Sequence, residues 1–507
     1  MSGFTVTYGI SNTNEAQAIM QTIACRGPYT SGIYEDHQVI LAQNYLQADG
    51  AVSNNDVKIP VCSPNNPNLM ICYDGQMGNW AELAQHHNIS DGAFREERLL
   101  LSLYEKYGKE MLKYLDDTIF TLVISDGEDI FAARDLLGIK TLFYGQKGNT
   151  LYLASELKGI LQVTKEVYEF PNGHYMDNSR QFTKFAELPQ KPPEPLKCSV
   201  DTMVNDIRNI IERSFQNRID FTLPTGGLLS GGMDSSVINY LASKAYKSKF
   251  GPRARLSTFA IGVGESEDIQ NARIMANHID SEHHELIVDI KQLVDALPEV
   301  IYFLESFDPS LVRSSVSNYL ISRYAAKEHG IQILLSGEGG DEVFCGYKYL
   351  GRCSTEELFA KQMECLGFLH NNASLRLDRM NMCNSVRVVA PLISGELLQY
   401  AMAIPPQYKQ KPEGSDKIEK WIFRKAYENL LPQSIVWRSK QEFSQGSGSA
   451  KVLTAYFEEH IPDHELTETQ AKYPVIRSKE ELYYFRLFTE HFGTDHAVET
   501  VGQWLLL

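Results

Sequence analysis

The sequence predicts an α/β protein in two parts, a sheet-rich α+β domain followed by a doubly wound parallel-sheet domain. Three observations carry that expectation. Four prolines, Pro189, Pro192, Pro193 and Pro195, crowd ELPQKPPEPLKCSV at 187–200, a density that favours an extended connector and excludes a helix interior. Before this segment the chain consists of short apolar runs separated by turn residues. After it, strand and helix patterns alternate, as a parallel sheet with crossover helices requires.

Taken in order, FTVTYGI, QVILAQNYL, LMICYDG, TIFTLVISD and TLYLAS read as strands, with one amphipathic helix intervening at about 94–113. Past the prolines come a helix near 201–217, the run GGLLSGG, and a helix at 234–247. Strand LSTFAIGV, a helix near 267–279, strand HHELIVD, a long helical region over about 290–328 and strand IQILLSG follow. From about 355 onward the pattern is largely helical. Domains are therefore expected at 1–190 and 200–507, the second binding its ligand outside the carboxyl ends of the strands.

Composition narrows the function classes. The 507 residues carry 48 basic and 64 acidic side chains, a net charge of −16. That balance argues against a nucleic-acid binder, which needs clustered Lys and Arg. A hydrophobic fraction of 43% excludes a mostly disordered chain. No apolar stretch reaches the ~18 residues of a membrane span. The N-terminus, MSGFTVTYGI, lacks the features of a secretory signal, and the eight cysteines include no C-x-x-C pair. A cytoplasmic, small-molecule protein with reduced thiols is the expectation, without membrane or nucleic-acid partners, and a homodimer is the expected assembly.

Two glycine-rich loops carry chemistry. Leu229-Ser230-Gly231-Gly232-Met233-Asp234-Ser235-Ser236 lies between an apolar strand and a helix. Glycines let the backbone approach a pyrophosphate, and helix-N-terminal amides and Ser hydroxyls donate to it. Asp234 suits Mg2+, which takes one or two carboxylates plus phosphate oxygens. No G-x-x-x-x-G-K-[ST] pattern is present, so γ-phosphoryl transfer is not expected. The alternative is a plain Gly-Gly turn capped by Asp and Ser. After IQILLSG stands Ser336-Gly337-Glu338-Gly339-Gly340-Asp341-Glu342, then Gly346-Tyr347. Asp341 could share a metal with Asp234, and Glu338 could act as base or hold an ammonium-like group; a solvated acidic turn is the alternative.

Through these loops and several further segments the chain resembles the glutamine-hydrolysing asparagine synthetase superfamily over nearly its full length. LLSGGMDSS, LSGEGGDEVFCGY, ESFDPSLVRSS (305–315) and WRSKQEFSQGSG (437–448) carry the resemblance in the second domain. CRGPYTSGIY (25–34), ARDLLGIKTLFYG (133–145) and LYLASELKGIL (151–161) carry it in the first. The resemblance implies an N-terminal Ntn-hydrolase-like α+β sandwich of the class II glutamine amidotransferase type, then a PP-loop ATP-pyrophosphatase domain. It also implies a ligase using ATP and Mg2+: a substrate carboxylate is adenylated with loss of pyrophosphate, and an amine then displaces AMP. Ser230, Gly231, Gly232, Asp234 and Ser235 would hold pyrophosphate, and Leu229, Ile261, Ser336 and Gly337 would line the adenosine site. Lys440 would steady developing negative charge, and Asp234 and Asp341 would hold the metal. Arg313 would grip the substrate carboxylate, although an Arg among serines is more often a salt-bridge partner. Asp378 and Tyr347 divide evenly between substrate-site wall and structural hydrogen bonding.

The chain departs from the family where glutamine would be hydrolysed. Ser2 stands in place of the nucleophilic cysteine, and Tyr45 in place of the arginine that binds the glutamine carboxylate. Asp74-Gly75-Gln76 replaces Asn-Gly-Glu, and Glu96 replaces Asp. An unperturbed serine is far less nucleophilic than cysteine near neutrality, so a dead glutaminase is expected; Cys25 is not a replacement. A second departure is Arg387-Val388-Val389-Ala390-Pro391-Leu392-Ile393-Ser394, which lacks two carboxylates and an arginine of the family segment. It reads either as local repacking or as a changed substrate site. Three functions follow: an amide ligase for an aspartate-like carboxylate and ammonia or another amine, an intramolecular cyclase of the β-lactam synthetase or lasso cyclase type, and a non-catalytic ATP-binding homologue.

Overall fold

The computed structural model describes residues 2–10, 12–46, 58–414 and 416–504. The first part is a sandwich of two six-stranded antiparallel sheets. One has the order Val167–Glu169, Phe143–Lys147, Thr150–Ala154, Ser2–Tyr8, Val39–Tyr45, Thr30–Asp36; the other runs Phe182–Lys184, His174–Met176, Ile130–Arg134, Thr118–Ser125, Met70–Met77, Val61–Cys62. Facing residues Phe4, Val6, Val39 and Leu41 meet Cys72, Val123, Ile130 and Ala132 in one buried layer. Helices Thr13–Thr22 and Arg95–Tyr107 cover the two outer faces. The expected helix over 94–113 ends earlier, because Gly108 adopts φ +56° and a 3-10 turn takes over through Tyr114.

Residues 185–199 carry no regular element. Beyond them five parallel strands form one sheet in the order Glu282–Val288, Ser257–Val263, Thr225–Leu228, Ile333–Leu335, Arg387–Val389. In chain order that is 3-2-1-4-5, a doubly wound arrangement whose switch point lies between Thr225–Leu228 and Ile333–Leu335. The long helical region divides into Ile290–Leu304 and Pro309–His329. Glu305 ends the first with φ +59°, and Asp308 caps the second, with Pro309 in its first turn.

The largely helical C-terminal stretch also contains the fifth strand and a hairpin, Gln410–Glu413 with Asp416–Glu419. The departure at 387–394 falls on that fifth strand and its exit. Val389 is buried, and Ser394 accepts from Leu397 N at 3.4 Å to cap helix Gly395–Ala403. Serine there fills a capping role that Asp fills equally well, and none of residues 387–394 is among those that line the cleft described below. No described helix is long and apolar enough to cross a membrane.

Candidate active site

A cleft opens at the switch point of the parallel sheet. It is floored by Leu228–Ser230 and Phe259–Ile261, and walled by Ser336–Glu338, Asp341, Tyr347, Arg376, Lys420 and Arg438–Ser444. The sequence sets this local geometry. Gly231 adopts φ +68°, and a Cβ there would stand 2.4 Å from Asn271, so only glycine fits the turn into helix Met233–Phe250. Ser230 Oγ lies 3.1 Å from Ser235 Oγ and accepts from Gly232 N at 3.3 Å. The helix N-terminus therefore faces the cleft, a ready anion site.

The second loop supplies the opposite wall. Lys420 Nζ sits 2.6 Å from both Asp234 Oδ2 and Asp341 Oδ1, and Lys440 Nζ sits 2.7 Å from Asp341 Oδ2. Burial alone would lower the Lys440 ammonium, but Asp341 and Asp234 hold it well above the ordinary lysine value. Burial likewise opposes ionisation of Asp341, yet Lys420 and Lys440 keep its carboxyl far below the usual range. Lys440 therefore stays charged and Asp341 stays an acceptor. Asp234 Oδ1 is buried without a hydrogen-bond partner among the described residues. Gly340 leaves the space in front of it, where a Cβ would stand 2.1 Å away. This oxygen donor set fits a hard divalent cation such as Mg2+.

Further along the cleft Glu338 is ion-paired with Arg376, whose guanidinium lies 5.6 Å from the Phe443 ring centre. Tyr347 donates its hydroxyl to Glu342 Oε1 at 2.5 Å. Burial and the neighbouring Asp341 and Glu338 push Glu342 up to about 7. Asp268, raised by burial to about 6, pairs with Arg438 at 2.9 Å, and Arg438 Nη1 reaches the Ser230 carbonyl at 3.5 Å.

Most residues expected at this site converge: Leu229, Ser230, Gly232, Asp234, Ser235, Ile261, Ser336, Gly337, Glu338, Asp341, Tyr347 and Lys440 all line the cleft. Two do not. Arg313 turns away to Glu480, its Nη2 2.6 Å from Oε2, because a carboxylate 2% exposed needs a cation. Asp378 is also outside the lining. It is locked between Arg26 at 2.6 Å and Lys140 at 2.9 Å. Sequence reasoning does not reach Lys420 and Arg376: neither sits in a glycine-rich loop, and only charge facing Asp234 or Glu338 identifies them.

Around Ser2 the described residues of the first domain pack closely. Ser2 is fully buried; its Oγ donates to the Tyr73 carbonyl at 2.5 Å and accepts from Gln43 Nε2 at 2.7 Å. The Ser2 amide donates to Asp74 Oδ1 at 3.1 Å, and Gln76 donates to the Arg218 carbonyl at 3.3 Å. The Tyr45 hydroxyl donates to Glu97 Oε1 at 2.9 Å, under Phe94 in an edge contact. Glu96 accepts from the Tyr73 hydroxyl at 2.7 Å. Burial, then Glu156, pushes the Cys25 thiol up to about 11, which disarms it as a nucleophile.

Comparison with known proteins agrees with both halves. The asparagine synthase family model matches residues 206–364 and 354–479, and the glutamine amidotransferase domain model matches 1–188. Asparagine synthetase B [glutamine-hydrolyzing] of Escherichia coli is 31% identical over 98% of this chain and 91% of its own length. A probable asparagine synthetase of Schizosaccharomyces pombe is 32% identical, covering 95% and 90%. Asparagine synthetase 1 of Saccharomyces cerevisiae is 30% identical, covering 97% and 93%. With a parallel-sheet cleft of this charge pattern behind an amidotransferase-type sandwich, the chain belongs to the asparagine synthase family of ATP-dependent carbon–nitrogen ligases.

Proposed function

We propose that this chain adenylates an aspartate-like carboxylate with ATP and transfers the acyl group to ammonia, without hydrolysing glutamine. The division at 1–190 and 200–507 then separates a retained scaffold from the ligase half. The observation that carries the reading is the meeting of Lys420 and Lys440 with Asp234 and Asp341 beside the Ser230–Gly232 turn. The turn amides and Ser235 receive the β- and γ-phosphates, and the adenosine lies along Leu229, Ile261, Ser336 and Gly337. Asp234 and Asp341 would hold Mg2+, which neutralises pyrophosphate charge when bound.

A substrate carboxylate oxygen forms a bond to the α-phosphorus as the bond to the pyrophosphate oxygen breaks. Lys420 and Lys440 face the charge that accumulates on the departing oxygens, fixed in place before the reaction begins. The ammonia nitrogen then bonds to the acyl carbon, AMP departs with the oxygen, and Glu338 takes the proton the amine loses. Arg376, paired with Glu338, offers a planar guanidinium to a substrate carboxylate, the role that Arg313 does not fill.

Against glutamine hydrolysis stand the Ser2 hydroxyl, engaged by Tyr73 and Gln43, and the Tyr45–Glu97 pair, which puts an acid where a carboxylate-binding cation would be needed. The test is AMP release with candidate carboxylates and ammonium, glutamine or no amine. AMP requiring both aspartate and ammonium is the expected outcome. AMP without any amine, with loss of water from one substrate molecule, would favour the intramolecular cyclase instead. Asp234→Ala and Lys440→Ala are each expected to cut AMP release by ~100-fold or more, and near-wild-type turnover in either would undo the assignment.

A further inference from the structure

Among the cleft-wall residues outside both glycine-rich loops is one from near the end of the described chain. Trp504 lines the cleft, far in sequence from every motif, and the chain holds it there by both sides of its backbone. Its amide donates to Asp308 Oδ2 at 3.0 Å, and its carbonyl accepts from Arg477 Nη1 at 2.8 Å. Arg477 is itself clamped between Asp308 at 2.9 Å and the buried Glu481 at 2.8 Å. One residue earlier, the Gln503 side chain donates to the Val475 carbonyl at 3.2 Å. At Gly502 a Cβ would stand 2.7 Å from Asn371, so the approach is close as well as pinned.

The ring completes an aromatic wall. Its centre lies 5.1 Å from Phe368, 6.3 Å from Tyr347 and 6.4 Å from Tyr349. Asp308, which receives the Trp504 amide, caps the helix whose Ser310 and Ser314 also line the cleft. Trp504 thus reaches the Tyr347 loop with its ring and the start of helix Pro309–His329 with its backbone amide. The nucleotide-facing turn and Ile261 belong to other strand ends, whereas Trp504 stands against Tyr347, in the loop that follows Glu338.

We propose that Trp504 determines substrate length, closing the acyl end of the cleft so that an aspartate-sized amino dicarboxylate fits beside Arg376 and Glu338 and longer homologues do not. This rests on the ligase reading above. A flat, backbone-anchored aromatic side chain suits that role, since it fixes a steric limit and adds no charge that would compete with Arg376 for the carboxylate.

The decisive experiment measures AMP release from aspartate, glutamate and 2-aminoadipate, each with ammonium, by wild type, Trp504→Ala and Trp504→Phe. Wild type is expected to favour aspartate. Trp504→Ala is expected to raise the glutamate-to-aspartate ratio of kcat/KM by ~10-fold or more, with Trp504→Phe giving a smaller rise, since pocket volume discriminates methylenes on this scale. The KM for ATP should move by less than about 2-fold in both. An unchanged ratio in the folded variants overturns the inference, as does a wild type that uses the longest acid best. If Trp504→Ala does not fold, Trp504→Phe decides alone, a rise supporting the inference and none overturning it. A wild type that releases AMP with none of the three acids shows instead that the ligase reading has failed, and the inference falls with it.

Discussion

Glu97 lies 4% exposed beneath Tyr45, whose hydroxyl donates to it. Burial, reinforced by the adjacent Glu96 carboxylate, pushes it from 4.5 up to about 7. Because the folded value exceeds the unfolded one, the folded state binds the extra proton between those values. Its contribution is therefore most favourable below pH 4.5 and is lost as pH rises through 7. Glu97→Gln keeps an acceptor for Tyr45 and removes the buried charge. It should stabilise the chain by about 1–3 kcal/mol at about pH 8 and by almost nothing near pH 4, read as unfolding midpoints at the two pH values. An equal effect at both would contradict this origin of the shift. At this scale the sequence is informative where charge sits in a motif: Asp234, Asp341 and Lys440 are legible. Lys420 and Arg376 are not, because their partners lie 186 and 38 residues away. Arg313 misleads because Glu480, its partner, lies 167 residues further along in a helix with no motif.

Helix Ala373–Met382 shows what an element does that no single residue reveals. Arg376 lines the cleft, while Asp378 and Arg379 enter a buried ion cluster at the junction of the two parts. There Arg26, Lys140, Lys158 and Arg379 face Asp74, Glu156, Glu305 and Asp378, no side chain more than 3% exposed. Cations and anions match in number, so the cluster is neutral although each member is buried. Arg26 also donates to the Ser2 carbonyl at 3.3 Å, so the cluster reaches Ser2. Asp378→Ala would leave Arg26 and Lys140 short of a partner, and should cost ~3–5 kcal/mol in urea unfolding. A loss under about 1 kcal/mol would mean the cluster is held by other contacts. Most long elements are legible from periodicity. The fifth parallel strand, Arg387–Val389, is not, since so short a run carries no alternation to read. Nor are the short edge strands of the sandwich.

For the whole molecule, the two parts share apolar as well as ionic contacts. Ile19, Leu157 and Ile160 of the first join Leu297, Ile301 and Leu304 of the second in one buried cluster. The scaffold role proposed for the sandwich rests on this close packing against the ligase half and on a Ser2 hydroxyl turned onto a carbonyl. Part of the net charge of −16 also acquires a place, since Asp234, Glu338 and Asp341 face the cleft. The doubly wound architecture follows from strand–helix alternation, and the closure of Ser2 follows only from the folded chain, because it depends on which partners its hydroxyl meets. The central claim is a ligase that draws its nitrogen from ammonia alone. The most direct measurement follows glutamate and AMP together in one reaction with ATP, Mg2+, aspartate and either glutamine or ammonium. AMP with ammonium and no glutamate from glutamine is the predicted result; glutamate released at a rate comparable to AMP would contradict it.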